Sequence, residues 1–252
     1  MINLKNAREI EGLALANEIS ANTLRIAKEM IRPGVTTEQL DEAMRKYIHS
    51  RGAKPDFLGY GGFPKTACIS INEEVIHGIP GNRVIREGDI VSVDVGAEIG
   101  GWCGDNAYTF MIGEVDPVRK KLCEVTKECL FRGVAQARKG NRLGDIGYAV
   151  QSHAEANGFS VVRDYVGHGV GRDMHEDPEV PNFGIAGRGL RLIPGMVIAI
   201  EPMIVAGDYK VKVLDNGWTV VTADGSSAAH YEVTVAITED EPRILSDWRP
   251  LL

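Results

Sequence analysis

No apolar run in this 252-residue sequence approaches the roughly 20 residues a membrane-spanning helix needs, which excludes a helical span. Basic residues are in deficit. The 28 lysines and arginines stand against 35 aspartates and glutamates, for a net charge of −7 with no basic stripe. That balance argues against a nucleic-acid surface. Cysteine is scarce too. The four, at 68, 103, 123 and 129, form neither a Cys-x-x-Cys pair nor a disulfide-dense pattern, so a reducing cytosol fits them. Met1-Ile-Asn-Leu-Lys-Asn leads directly into a charged helical pattern without an apolar signal region. What the chain does have is 44% hydrophobic residues, enough for one large domain spanning 1–252, and 29 glycines placed mostly at turns or beside candidate site residues.

The stretch from Glu87 to Asp105 organises the rest. Ile90 to Val95 alternates as a strand, Gly100 and Gly101 mark a reversal, and Tyr108 to Ile112 leads away. A turn on Ile99 and Gly100 pairs residues whose numbers sum to 199, placing Asp94 opposite Asp105. Directly opposed side chains lie about 4.5–5.5 Å apart at their β-carbons, where like charges repel. Buried carboxylates facing each other persist by sharing a proton or a cation.

The chain reads as helix (6–31), then a second helix opened by a Thr36–Gln39 capping box and closed by Gly52, then a glycine-rich loop at 59–64 and a short strand at 68–71. After Pro117 the order begins again. A shift of 106 lays Gly34, Leu40, Ala43, Met44, Tyr47 and Gly52 on Gly140, Ile146, Ala149, Val150, His153 and Gly158. A shift of 107 lays the strand Gly88–Asp94 on Gly195–Glu201, carboxylate upon carboxylate. Two matches at nearly one offset predict an internal duplication, with halves of about 6–115 and 116–240. Further on, 160–166 reads as a strand before Gly167-His168-Gly169, and Trp218–Thr222 with Ala229–Ile237 reads as a last hairpin carrying Glu232.

Asp94, Asp105, His168, Glu201 and Glu232 each sit in or beside an apolar strand, where an ionised side chain needs a partner. Any one of them alone is best read as structural. His168 among glycines is by default a loop residue, and His77 and His175 before prolines are by default solvent-exposed. Five together reverse the preference. Four carboxylates and an imidazole suit two divalent ions, with the oxygen-rich set favouring Co, Mn or Fe(II) and leaving Zn admissible. Two such ions share a water and generate hydroxide near neutral pH. Glu201 then relays the proton, and His77 or His175 donates to the developing oxyanion. By pattern alone Cys68 and Trp218 are ordinary core residues, and Cys103, Cys123 and Cys129 are small buried hydrophobes.

Six motifs carry a resemblance: Asn-Glu-x-x-x-His-Gly-Ile-Pro (72–80), Ser-Val-Asp-Val-Gly (92–96), Gly-Asp (104–105), Gly-His-Gly-Val-Gly (167–171), Ile-Glu-Pro (200–202) and Tyr-Glu (231–232). In this order and spacing the chain resembles the type I methionine aminopeptidases from its first helix to about residue 240. The resemblance implies the α+β pita-bread fold, an antiparallel sheet around a dinuclear metal site, and removal of the initiator methionine where the second residue is small. It implies that Asp94 chelates one metal, that Asp105 and Glu232 bridge both, and that His168 and Glu201 complete the other. It implies substrate contacts for His77 and His175, and a methionine pocket of Tyr60, Phe63, Cys68 and Trp218. Gly61, Cys103 and Met174 depart from the usual histidines and aromatic residue, which bears on pocket width. The expected partners are nascent polypeptide N-termini, with the ribosome a further candidate, and the expected state is a cytoplasmic monomer. Two readings compete: an X-Pro peptidase, which shares the fold and ligands, and a non-catalytic binding protein of that fold, which typically loses ligands.

Overall fold

The computed structural model describes residues 2–250. Helix α1 spans Ala7–Met30, and its N-cap Asn6 forms a capping box with Glu9. Helix α2, Thr37–Ser50, opens on the Thr36–Gln39 box anticipated from sequence. The buried Leu40, Met44 and Ile48 recur at the helical period, so one stripe faces the core. Five strands follow: β1 (Lys54–Pro55), β2 (Ala67–Ile71), β3 (Glu74–Ile76), β4 (Ile90–Ile99) and β5 (Trp102–Met111).

The hairpin β4–β5 turns on Gly100 and Gly101, with φ of 61° and 76°. Both turn positions need φ > 0, which glycine takes freely and Ile99 resists. Partners therefore sum to 201, not 199: Asp94 pairs with Ala107, and Asp105 with Gly96. The turn moves by one residue and the pairing by two, so both aspartates keep their shared face and lie diagonally rather than opposite. The neighbours they do face are a methyl group and a hydrogen, which leaves room between them.

After Asp116 caps α3 (Pro117–Gln136), α4 spans Leu143–Ala156. The strands are then β6 (Ser160–Val161), β7 (Gly167–Gly169), β8 (Glu176–Val180), β9 (Val197–Ile200), β10 (Met203–Val205), β11 (Val211–Val213), β12 (Val220–Thr222), β13 (Ala228–His230), β14 (Glu232–Ala236) and β15 (Arg243–Ile244). The predicted strand 160–166 shrinks to two residues. His168 lies in β7 instead of a loop, because β7 is laced between β8 and β9. The predicted last hairpin does not form. Val220–Thr222 pairs with β11 and β3, Ala228–His230 pairs with β10, and Glu232–Ala236 enters the main sheet. Tyr231 marks the corner where the chain changes sheets, a distinction that apolar alternation cannot carry.

The main sheet is antiparallel throughout. Its path runs β1-β4-β5-β14-β9-β7-β8, with β2 also on β4 and β15 also on β14. At its centre β5 meets β14, where Glu232 pairs with Ala107 and Val233 with Asn106. Outward from that seam stand β4 on one side and β9 on the other, then β2 and β7. Helix α1 packs on β4 and β5, and α3 contacts β9 and β14. The approach of α1 is close: a Cβ on Gly104 would lie 2.4–2.5 Å from the main chain of Ala16 and Asn17. The largest apolar cluster, including Leu24, Leu40, Ile69, Val93, Leu130 and Ile198, fills the space under these helices.

Candidate active site

Four acidic side chains collect beside the central seam. Asp94 comes from β4 and Asp105 from β5, while Glu232 opens β14 across from Ala107. Glu201 follows β9 by one residue. Continuing the register Val233–Ile200 brings it level with Glu232. His168 projects from β7, the neighbour of β9. All five line one cavity of about 420 Å³. Among the described residues, Asp105, His168 and Glu232 offer ligand atoms lying within 4.8 Å of one another. His168 Nε2 stands 3.5 Å from Glu201 Oε1 and 3.7 Å from Asp105 Oδ2.

The main chain and its neighbours hold these residues in place. Asn17 Oδ1 accepts from the Asp105 amide at 3.2 Å, and Thr234 Oγ1 donates to the Asp105 carbonyl at 2.9 Å. The buried indole of Trp248 donates to the Glu232 carbonyl at 2.9 Å, and Asn182 Nδ2 donates to that of Glu201 at 3.0 Å. His168 Nδ1 lies 2.9 Å from the Gly169 carbonyl. A carbonyl only accepts, so Nδ1 carries the proton and Nε2 turns a lone pair into the cavity. This is the tautomer a metal-binding histidine takes when its second nitrogen is hydrogen-bonded.

Protein donors leave part of this acidic set unsatisfied. Asp94 Oδ1, Asp105 Oδ1 and Glu232 Oε1 are buried without a hydrogen-bond partner. Burial first, then mutual repulsion, pushes the Asp94, Glu201 and Glu232 carboxyls well above the usual range. Asp105 is pushed to about 8, by burial and then by the nearby Asp56. Burial, aided by His175, lowers His168 to about 4, so it stays neutral. Buried carboxyls converging on a neutral imidazole lone pair, with no lysine or arginine among the lining residues, form a donor set for hard or borderline divalent cations. The residues fit that group.

Around this acidic floor the walls are apolar. Phe57, Phe63, Cys68 and Met174 are buried and Trp218 is half-buried, all lining the same cavity. Phe63 meets Trp218 edge-on at 5.1 Å. Cys68 pairs with Asp94 across β2 and β4, so pocket and acidic cluster share a border. The packing expectation for Cys68 and Trp218 holds, since Cys68 is buried in an apolar cluster and Trp218 packs against it, and both side chains also line the cavity. Gly61 stands over Trp218, where a Cβ would come within 3.3 Å of the ring. Cys103 is buried and points its thiol at the Arg172 carbonyl, 3.4 Å away. Cys123 and Cys129 are free and buried, as expected.

His77 and His175 stand at the rim. His175 is exposed, stacks on Tyr60 at 5.1 Å, and sets Nδ1 2.8 Å from the Tyr60 hydroxyl. Its ring is 4.1 Å from that of His168. With the hydroxyl donating to Nδ1, the His175 Nε2–H is left to point elsewhere. His77 is half-buried, not exposed, and holds φ at 58°, a strained value for a non-glycine residue. It lies edge-on to Tyr165 and Trp218. Burial and the neighbouring His175 lower it to about 4, so it is a neutral donor near pH 7.

Phe57, Asp164 and Tyr165 also line the cavity without having been picked out by sequence. Phe57 precedes the glycine-rich loop, and its ring occupies the space a side chain at Gly96 would take. Only the three-dimensional contact reveals it. His230 was missed as well. It is buried behind Glu201, with Nε2 3.7 Å from Glu201 Oε2.

The profile of metallopeptidase family M24 matches residues 11–239. The methionine aminopeptidase of Clostridium acetobutylicum is 55% identical over 98% of this chain and 99% of its own. The crystal structure of methionine aminopeptidase from Thermotoga maritima superposes with a TM-score of 0.96 at 46% identity, covering 98% of this chain and 99% of that one. The fold is the pita-bread fold of those enzymes. A prolidase from Pyrococcus horikoshii shares it with a TM-score of 0.76 at 22% identity, over 97% of this chain but 63% of its own. The chain thus belongs to metallopeptidase family M24, together with its methionine aminopeptidases.

Proposed function

We propose that this chain hydrolyses the first peptide bond of polypeptides that begin with methionine, chiefly where the second residue is small. The observation that carries the reading is one cavity with two unlike halves: a cluster of uncompensated buried carboxylates and an apolar pocket that borders it through Cys68 and Asp94. The pocket binds the methionine side chain, whose soft thioether suits aromatic and sulfur walls. Tyr60, Phe63, Cys68 and Trp218 are its proposed contacts.

Asp94, Asp105, His168, Glu201 and Glu232 would hold two divalent ions, Co, Mn or Fe(II), with Zn admissible. Asp105 and Glu232, nearest the seam, would be the residues shared between the two ions. Bound there, the ions supply Lewis acidity and a water acidified toward neutral pH. Glu201 holds and moves the proton of the attacking water. His77 and His175 turn N–H donors toward the carbonyl oxygen as it gains charge, and Tyr60 keeps the His175 ring from rotating. The likeness of strand order on the two sides of the β5–β14 seam supports the proposed duplication. On each side one acid lies on the central strand and one on, or one residue beyond, its neighbour.

The chain is proposed to act as a monomer in the cytoplasm on nascent N-termini, with the ribosome as a candidate partner. The test is release of free methionine from Met-Gly-Met-Met by metal-stripped protein titrated with Mn(II), Co(II) and Fe(II). Metal-dependent loss of the first residue only is expected. Cleavage of X-Pro peptides in its place would move the reading to the prolidases, and no release from a folded chain would mean a binding protein.

A further inference from the structure

His230, which ends β13, has no task in the reading above. Its main chain is clamped by one hydroxyl: the amide donates to Thr109 Oγ1 at 3.0 Å, and Thr109 Oγ1 sits 2.7 Å from the His230 carbonyl. Ser92 Oγ meets the same hydroxyl at 2.8 Å. The backbone is fixed, yet the ring, 1% exposed, has no hydrogen-bond partner at either Nδ1 or Nε2. A buried group with orphaned nitrogens is costly and calls for an explanation. The geometry around Glu201 supplies one. His168 Nε2 lies 3.5 Å from Oε1, and His230 Nε2 lies 3.7 Å from Oε2. Glu201 is bracketed by two imidazoles. His168 lines the cavity, whereas His230 stands behind the carboxylate and outside the lining.

We infer that His230 is a positioning residue for Glu201. Its Nε2–H is directed at Oε2, which leaves Oε1 turned toward His168 and the proposed ion. The present 3.7 Å is longer than a hydrogen bond. A side-chain shift of about 1 Å closes it to the usual range. The inference rests on the reading of Glu201 as a metal ligand.

Calorimetric titration of the metal-stripped full chain with Mn(II), beside steady-state cleavage of Met-Gly-Met-Met, tests it in wild type, His230→Phe and His230→Gln. Phenylalanine keeps a flat ring and removes the donor; glutamine keeps an N–H at similar reach. His230→Phe is expected to lose about 10–100-fold in Mn(II) affinity or in kcat, with KM little changed, and His230→Gln to recover most of it. A Phe variant equal to wild type, or Phe and Gln variants equally impaired, would overturn the assignment. Should the Phe variant not fold, His230→Met is the donor-free replacement read in the same way. Wild type that neither binds Mn(II) nor releases methionine removes the metal-site reading itself, an outcome distinct from normal wild type with unaffected variants.

Discussion

Glu201 has two neighbours of one kind and two proposed duties, so its replacement separates chemistry from fold. Glu201→Gln keeps shape and removes charge. It is expected to leave the melting temperature of the metal-free protein within a few degrees while abolishing release of methionine; wild-type turnover would remove Glu201 from the mechanism. His175→Ala is expected to lower kcat by about 10²-fold, the usual contribution of one positioned donor. Mn(II) should still bind, since the ring stands at the rim on Tyr60. At this scale the sequence was most legible where a residue broke its surroundings. A carboxylate inside an apolar strand is such a break, and all four stood out. Phe57 and His230 broke nothing: an aromatic residue before a glycine-rich loop and a histidine before Tyr231 are ordinary neighbours, and only contact made across the sheet gives them meaning.

Elements position the site through close approach. Helix α1 runs against β5 at Gly104, one residue before Asp105, and Asn17 of that helix receives the Asp105 amide. Gly104→Ala places a methyl group 2.4 Å from the Ala16 main chain, which cannot rotate aside. A destabilisation of about 1–3 kcal/mol is expected from overpacking. Mn(II) affinity should fall with it, because the helix carries the Asp105 support away. Urea denaturation with and without Mn(II) checks both. Helix boundaries were readable from capping boxes and glycines, which act within a few residues. Hairpin register was readable only up to the placement of the Gly100–Gly101 turn, and the face of each acid survived because the correction moved pairing by two. The exchange of strands between sheets after residue 222 left no local mark, since β12, β13 and β14 are alike in their apolar runs.

The whole molecule responds to the site through its protons. In the metal-free protein, folding raises the pKa of Asp105 to about 8 and those of Asp94, Glu201 and Glu232 well above their ordinary values. A raised carboxyl contributes stability that is complete below its unfolded pKa and is lost as pH rises through the folded one. His77 and His168, lowered to about 4, and His230, lowered to about 3, act oppositely: their contribution is present above about 6.5 and lost below it. Above about pH 7.5 the histidines are nearly neutral in both states, and the raised carboxyls dominate the slope. Metal-free protein is therefore expected to lose stability as pH rises from about 7.5 through about 8, by roughly 1.4 kcal/mol per pH unit for each carboxyl still titrating. Excess Mn(II) should flatten the slope, because bound ligands stay deprotonated. Melting curves at pH 7.5 and 8.5, with EDTA or Mn(II), measure it.

The seam between β5 and β14 has a consequence for the chain during its own synthesis. β5 can pair with β4 as soon as both exist, but its other edge waits for a strand made long afterwards, beyond two helices and eight strands. An open edge of that kind invites pairing between unfinished copies, and an inward-pointing charge is a recognised deterrent. Asp105 supplies such a charge at that edge. Replacing it with an apolar residue of similar size, as in Asp105→Val, is expected to lower the soluble fraction recovered from translation more than the same change at Glu232, whose strand arrives to find its partner already waiting.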